Sequence, residues 1–319
     1  MNIELSDDAA EYGRQARRAL EAAGGDQLAQ RAAQDPVLRE SLLSPVLREL
    51  GAWDLAPRED AAELEAAAAL CRSAGYWAVP YPVAERLARP ADIDADGLVV
   101  VARPRLAAAV AGLRMRWAAV TIDGQRSIAV ARRPAGFPLG NAFVAELELE
   151  HVDARGAKDA ALGLVLPCWT LLGMLDRAID LTRAHVLVRE QFGRPLAAFQ
   201  AVQFQLTDAE VERSGLDVLA AYALWSVQVG GEDALADALA LRLAALEAAE
   251  VVFRIAHQLH GAIGFCDEAP LSWLSRHSQP VRRLPLGLSA TRQQLAGRLG
   301  RRGLTGLFSG QAQPEVPAL

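Results

Sequence analysis

The stretch Arg189-Glu-Gln-Phe-Gly-Arg-Pro-Leu-Ala-Ala-Phe-Gln200 sets an arginine, an aromatic and a glutamine around one turn of chain. A run rich in alanine and leucine leads into it and breaks at Gly193-Arg194-Pro195. A second helix restarts near Gln200. Free backbone amides at a helix N-terminus and a fixed guanidinium both favour an anion, so such a corner suits a pyrophosphate. Taken alone, the spacing also fits a plain helix–loop–helix corner with a surface arginine.

A second constellation is Gln258-Leu-His-Gly-Ala-Ile-Gly-Phe-Cys-Asp-Glu-Ala-Pro-Leu271, followed by Arg276. Small residues at Gly261, Ala262 and Gly264 end a helix and let a flat ligand approach the backbone closely. By itself this is also a glycine C-cap with a polar last turn. His257 and His260 lie three apart, without partners at metal-ligand spacing. His185 and His277 read as structural or surface groups, and Asp267 with Glu268 as a cap. No Gly-x-Ser-x-Gly, P-loop or Rossmann glycine pattern occurs, so hydrolase and NTPase chemistry has no support.

The elements that must position these residues follow from pattern. The chain has 319 residues, 52% hydrophobic and 23% charged, ordinary for a globular protein. Aromatics are 6% while alanine and leucine abound, which predicts a mostly helical interior. A net charge of -6 argues against non-specific nucleic-acid binding. Cys71, Cys168 and Cys266 are odd in number and widely spaced, as free thiols in a reducing cytoplasm are. The opening Met1-Asn-Ile-Glu-Leu-Ser-Asp-Asp is acidic rather than a basic, apolar leader. No uninterrupted apolar run reaches the roughly 18 residues of a membrane span. The expectation is a soluble, cytoplasmic protein.

Residues 1–90 read as an N-terminal helical domain. Ser6 is the N-cap of a helix running to Gly24-Gly25, Pro36 opens another, and Asp60 to Gly75 forms a third. Residues 91–160 read as a small β domain. Leu98–Ala102, Trp117–Ile122 and Ser127–Ala131 are strand candidates, with Asp123-Gly124 as a hairpin turn and Phe143–Glu150 as a half-exposed strand. Residues 161–303 read as a helical bundle with long runs over 164–190, 200–229 and 232–262. A last helix is expected from Ser289 to about Gly300, and a loose tail over 304–319.

With both constellations in hand, the chain resembles the acyl-CoA dehydrogenase family. The first matches the family's R-x-x-F-G-(K/R)-x-(L/I)-x-x-x-Q, and the second its Q-x-x-G-(G/A)-x-G-(F/Y)-x-x-E-x-P-L. The two stand in the family's order, separated by two long helical runs, and Gly173-Met-Leu-Asp-Arg-Ala-Ile-Asp180 resembles the helix leading in. The resemblance implies a mainly α fold: an N-terminal helical domain, a reduced middle β domain and a C-terminal four-helix bundle. It implies that Arg189 pairs with the pyrophosphate of FAD, that Gln191 and Phe192 touch its ADP moiety, and that Gln200 hydrogen-bonds nearby. Gln258, Gly261 and Ala262 would line the adenosine side. Phe199 stands where relatives often carry a polar residue.

Other family parts are missing. The glutamate that removes the substrate's α-proton corresponds to Pro285, or in some relatives to a position near Gly163; the substrate-anchoring arginine corresponds to Leu164. The Thr-Glu-type flavin loop is absent from residues 91–160, and Trp117 reads as core. No catalytic residue and no metal ligand is therefore expected. The pattern resembles the short subunits of actinobacterial heterotetrameric (α2β2) acyl-CoA dehydrogenases, as in steroid catabolism. A longer catalytic subunit would then supply the base, the flavin pocket and most acyl-CoA contacts, and FAD would be shared. The alternatives are an autonomous homo-oligomeric dehydrogenase with an unrecognised base, or a non-enzymatic scaffold of the same fold.

Overall fold

Ser6 opens the first helix by accepting a hydrogen bond from the Ala9 amide, and Asp60 opens the fourth by accepting from Ala62 and Glu63. These side chains satisfy amides that a helix N-terminus leaves orphaned. The computed structural model describes residues 4–35, 37–134 and 143–302. The N-terminal helices are α1 Asp7–Ala22, α2 Gln27–Gln34, α3 Leu38–Glu49, α4 Ala61–Tyr76 and α5 Val83–Leu87. Both α2 and α5 escape the sequence reading, because at eight and five residues they are too short to show a helical period. The expected start at Pro36 lies outside the described residues.

Strands β1 Gly97–Val101, β2 Ala107–Ala108, β3 Trp117–Thr121, β4 Arg126–Pro134 and β5 Ala145–Asp153 form one sheet in the order β1-β3-β4-β5-β2. Strands β1 and β3 run parallel, and β3, β4 and β5 antiparallel. The Asp123-Gly124 turn falls between β3 and β4 as its residues predict, with Gly124 at φ 86°. Trp117 is buried, as expected of a core residue.

The bundle begins with α6 Ala157–Val188, which starts seven residues earlier than its apolar run suggests; Gly156 is its N-cap residue and Asp159 lies in its first turn. A hairpin of β6 Glu190–Gln191 and β7 Arg194–Pro195 follows, then α7 Gln200–Val229 and α8 Ala234–His260. Gly230 ends α7 in the left-handed region at φ 68°, where glycine carries no steric penalty. α9 Pro270–Arg283 is a helix the sequence reading lacks, because Pro280 and three arginines mask its apolar stripe. α10 Leu288–Arg302 completes the set, and the tail expected over 304–319 lies outside the described residues.

α6 is the central element, packed against α4, α7, α8, α9 and β1. By length and composition it could cross a membrane, a match that a search for uninterrupted apolar runs misses. Yet 72% of its most apolar window is buried inside the fold, as in the core helix of a soluble protein. It crosses α4 backbone to backbone: a Cβ on Gly75 would collide with the Thr170 carbonyl, and one on Gly173 with the Arg72 carbonyl. Arg72 locks the crossing, reaching Asp176 at 2.7 and 3.1 Å and Asp217 of α7 at 3.0 Å. At the other end, buried Arg126 of β4 bridges Asp92, Asp153 and Asp159, tying the sheet to the start of α6.

Candidate functional site

α6 ends at Val188, five residues before the expected break at Gly193, because Arg189 turns to extended backbone (φ -76°, ψ 119°). The hairpin then reverses the chain through Phe192 (φ 53°) and Gly193 (φ 77°), and the Leu196 amide donates to the Arg189 carbonyl at 2.8 Å. Two successive positive φ values make a tight I′-type reversal. A non-glycine residue there costs about 1–2 kcal/mol. That strain displays Phe192, which is 91% exposed. The Arg194 guanidinium sits 4.1 Å over the Phe199 ring, and Phe199 meets Phe192 edge-on at 6.2 Å, so an aromatic at position 199 props the turn. Arg189, Gln191 and Gln200 are also exposed. Among the described residues the Arg189 side chain has no hydrogen bond or ion pair, leaving its guanidinium open to an anion.

The second constellation arrives at the same end of the bundle. The rings of His185, in the last turn of α6, and His260, in the last turn of α8, stack at 4.5 Å and 16°. Burial holds both imidazoles below their ordinary range, with Arg189 adding to the effect at His185, so both are neutral at neutral pH. Positive charge at this end therefore comes from the arginines. After α8, Gly261 adopts φ 64°, ψ -146°, a region essentially reserved for glycine. A 3₁₀ turn then spans Gly261–Phe265. A Cβ on Gly261 would meet nothing within 4 Å, so its open face is free for a ligand.

A cleft of about 550 Å³ opens beside this turn, lined by Phe253, Arg254, His257, Gln258, Gly261 and Phe265 among others. Phe265 lies parallel to the His257 ring at 4.4 Å, which makes one wall aromatic, and Arg254, Arg282 and Glu250 bring charge of both signs to the rest. The volume lies within the range of small-molecule sites, and these surfaces fit an adenosine diphosphate group. Gln258 and Gly261 are thus in the cleft, while Ala262 is exposed on the adjoining turn. Arg254 is a lining residue that the sequence reading missed, since one arginine on a helix carries no motif.

The positions to which the family resemblance assigns a catalytic carboxylate are Gly163 and Pro285. Gly163 is buried against β1, where an added Cβ would come within 2.6 Å of Val100 Cγ2, and Leu164 is buried. Gly163→Ala should cost about 1–2 kcal/mol through overpacking, read as a lower urea midpoint. Pro285 lies in the connection from α9 to α10, and that connection is held by the buried Arg242. The Arg242 guanidinium donates to the carbonyls of Val281 (3.3 Å), Leu284 (2.7 Å) and Leu286 (2.6 Å). A cation and three carbonyls occupy the neighbourhood in which a base would have to work.

Where the N-terminal helices, the loop before β5 and the bundle meet, a cavity of only about 60 Å³ remains, lined by Arg39, Tyr81, Glu85, Phe143, Thr170 and His277 among others. It is far below the roughly 300 Å³ of ordinary ligand pockets. Arg39 sits 4.5 Å over the Phe143 ring, and Phe143 lies 5.2 Å from His277. The Arg39 guanidinium donates to the Ala111 carbonyl. Burial raises the Glu85 carboxyl and pushes the His277 imidazole down to about 4, with Arg276 and Arg39 adding to the latter. Because His277 is held neutral, it contributes stability above its unfolded value near 6.5, and that contribution is lost as the pH falls toward about 4. The urea midpoint should fall between pH 7 and pH 5, and His277→Gln should flatten that dependence.

Residues 165–290 match the family model for the C-terminal domain of acyl-CoA dehydrogenases. Among curated proteins, the acyl-CoA dehydrogenase FadE27 of Mycobacterium tuberculosis is 33% identical over 146 residues, covering 38% of this chain and 38% of FadE27. The chain spans only about a quarter to two-fifths of the curated relatives it matches first (27% and 38%). Among solved structures, the ChsE4-ChsE5 complex of Mycobacterium tuberculosis contains a chain superposing with a TM-score of 0.71 at 19% identity, over 96% of this chain and 100% of that one. The Tcur3481-Tcur3483 steroid acyl-CoA dehydrogenase, as its G363A variant, gives 0.71 at 20% identity over 94% and 99%. Residues 165–290 therefore resemble the C-terminal domain of acyl-CoA dehydrogenases, and the described residues have the fold of that family. Members of this family are FAD-dependent oxidoreductases.

Proposed function

We propose that this chain is the base-lacking subunit of a heteromeric FAD-dependent acyl-CoA dehydrogenase that introduces an α,β double bond into an acyl-CoA. Its part is to hold the ADP side of a shared FAD with Arg189, Gln191, Phe192, Gln200, Gln258, Gly261 and Ala262. A longer partner subunit, in an α2β2 assembly, supplies the carboxylate base, the flavin pocket and most of the acyl-CoA site. When bound, FAD supplies the acceptor for the substrate's β-hydride. The residues of this chain do no proton transfer: Arg189 offsets pyrophosphate charge, the Gly261 turn admits the adenosine face, and Phe192 and Phe265 shield the cofactor from water.

One contrast carries the reading. The corner and cleft are open and unpaired, whereas the base positions are closed by Val100 over Gly163 and by Arg242 on the Pro285 connection. Likeness to two-component assemblies, one of them a steroid enzyme, supports the same division of labour and an acyl group as large as a steroid side chain or ring fragment. The deciding experiment expresses the chain alone and together with a longer acyl-CoA dehydrogenase subunit encoded in the same genome. Flavin absorption and acyl-CoA oxidation should come with the complex only. A stoichiometrically flavinated, active homo-oligomer of this chain would refute the division.

A further inference from the structure

α7 carries an outward face that nothing among the described residues covers. Phe204, Val211 and Val218 are 60%, 63% and 50% exposed, and they stand at steps of seven residues. Ala201, Asp208 and Gly215 alternate with them, all exposed, so the face keeps the three-and-four spacing of a coiled-coil seam. The same spacing runs on to Val229, which is 61% exposed, along a helix about 45 Å long. Scattered apolar residues on a surface need no explanation, but a seam in register along a whole helix does.

Charge on this face has one sign. Asp208 and Glu212 are exposed, four residues apart, and neither meets a cation among the described residues. Like charges at that spacing weaken a helix that stands alone. The one cation of that stretch, Arg213, is turned away into Glu210, Asp217 and Asp176. Gly215 lies mid-helix, and a Cβ there would meet nothing within 4 Å. An exposed helical glycine costs about 1 kcal/mol relative to alanine. That cost has a use where another backbone must approach closely.

We infer that the α7 seam is the docking surface for a helix of the flavin-bearing subunit, one with apolar seam residues flanked by lysine or arginine, and that Asp208 and Glu212 select it over a second copy of this chain. This rests on the shared-FAD reading above. The seam begins at the corner whose arginine would reach that FAD: Phe192 at the hairpin tip contacts Phe199, which directly precedes α7. A subunit whose cofactor touches Arg189 must therefore pass over the first turns of α7. A second copy laid on the seam in either direction would bring its own Asp208, Glu210 and Glu212 into the same zone. Such like-charge juxtaposition disfavours the homodimer, while a basic flank satisfies both carboxylates.

The test co-expresses the tagged chain with each longer acyl-CoA dehydrogenase subunit of the same genome, with p-benzoylphenylalanine in place of Val211. Photo-crosslinks should map to a Lys- or Arg-flanked helix of the longer subunit. The double variant Asp208→Lys, Glu212→Lys should lower the amount of co-purified partner at least tenfold, with an unchanged circular dichroism melt. Arg189→Ala should leave assembly intact while reducing FAD. Crosslinks to a second copy of this chain, or assembly indifferent to the charge reversal, would overturn the seam and leave the shared-FAD reading standing. Failure of every longer subunit to assemble with the unaltered chain would overturn both.

Discussion

Replacing Arg189 by alanine should strip FAD from the assembled enzyme while leaving the fold of this chain untouched. The side chain is exposed and makes no hydrogen bond or ion pair among the described residues, so its removal has no intramolecular contact to break. In the complex it would face a pyrophosphate. A charge-assisted contact of that kind contributes about 1.5–3 kcal/mol, or roughly a ten- to hundred-fold change in FAD affinity. Equilibrium dialysis of the complex, with a thermal melt of the isolated chain alongside, separates the two effects. Unchanged FAD affinity would show that the corner holds something else. Arg189→Lys should recover only part of the loss, because an ammonium keeps the charge without the bidentate geometry.

Arg242→Ala should behave in the opposite way, destabilising the fold without touching any ligand. Its guanidinium is buried and satisfies three carbonyls, that of Val281 in the last turn of α9 and those of Leu284 and Leu286 in the α9–α10 connection. Removing it orphans those carbonyls and leaves a cavity of side-chain size, and together these cost about 3–5 kcal/mol. Burial already depresses the Arg242 guanidinium below its ordinary range. A lysine there would pay a larger desolvation cost, because an ammonium is more strongly hydrated than a guanidinium, and should rescue poorly. Urea unfolding of the isolated chain reads both variants; a loss below 1 kcal/mol would mean that the connection is held by other contacts.

Much of the fold was legible because its long elements have strong periods. The runs over 200–229 and 232–262 became α7 and α8 almost to the residue, since Gly230-Gly231 and Gly261 punctuate them. The Asp123-Gly124 reversal was legible for the same local reason. The starts of α6 and α9 were not, because α6 opens through residues with no helix-start signature and α9 is amphipathic around prolines. In the site, motif spacing marked Arg189 and Gln258 but carried no sign of the His185–His260 stack that brings their two turns together. The Arg39, Glu85 and His277 cluster was equally invisible, since its members come from three distant stretches and only the folded packing desolvates them. The packing of Gly163 under β1 and the hold of Arg242 on the carbonyls beside Pro285 were not legible either, since both depend on residues far apart in the chain.

The contact between α4 and α6 keeps the small cavity small. Gly75 and Gly173 press the two main chains together beside the small cavity, whose wall includes Ala74, Thr170 and Met174. Side chains can rotate aside to admit a guest, but a helix axis cannot. A glutamate placed at position 285 or 163 would leave that cavity closed, since neither position lines it. Reopening it would require the two helices to separate along their crossing, with Arg72 and its aspartates uncoupled in the same step. Under the proposed function, the closure of that cavity is set by the spacing of the backbone, and no single side-chain substitution reverses it.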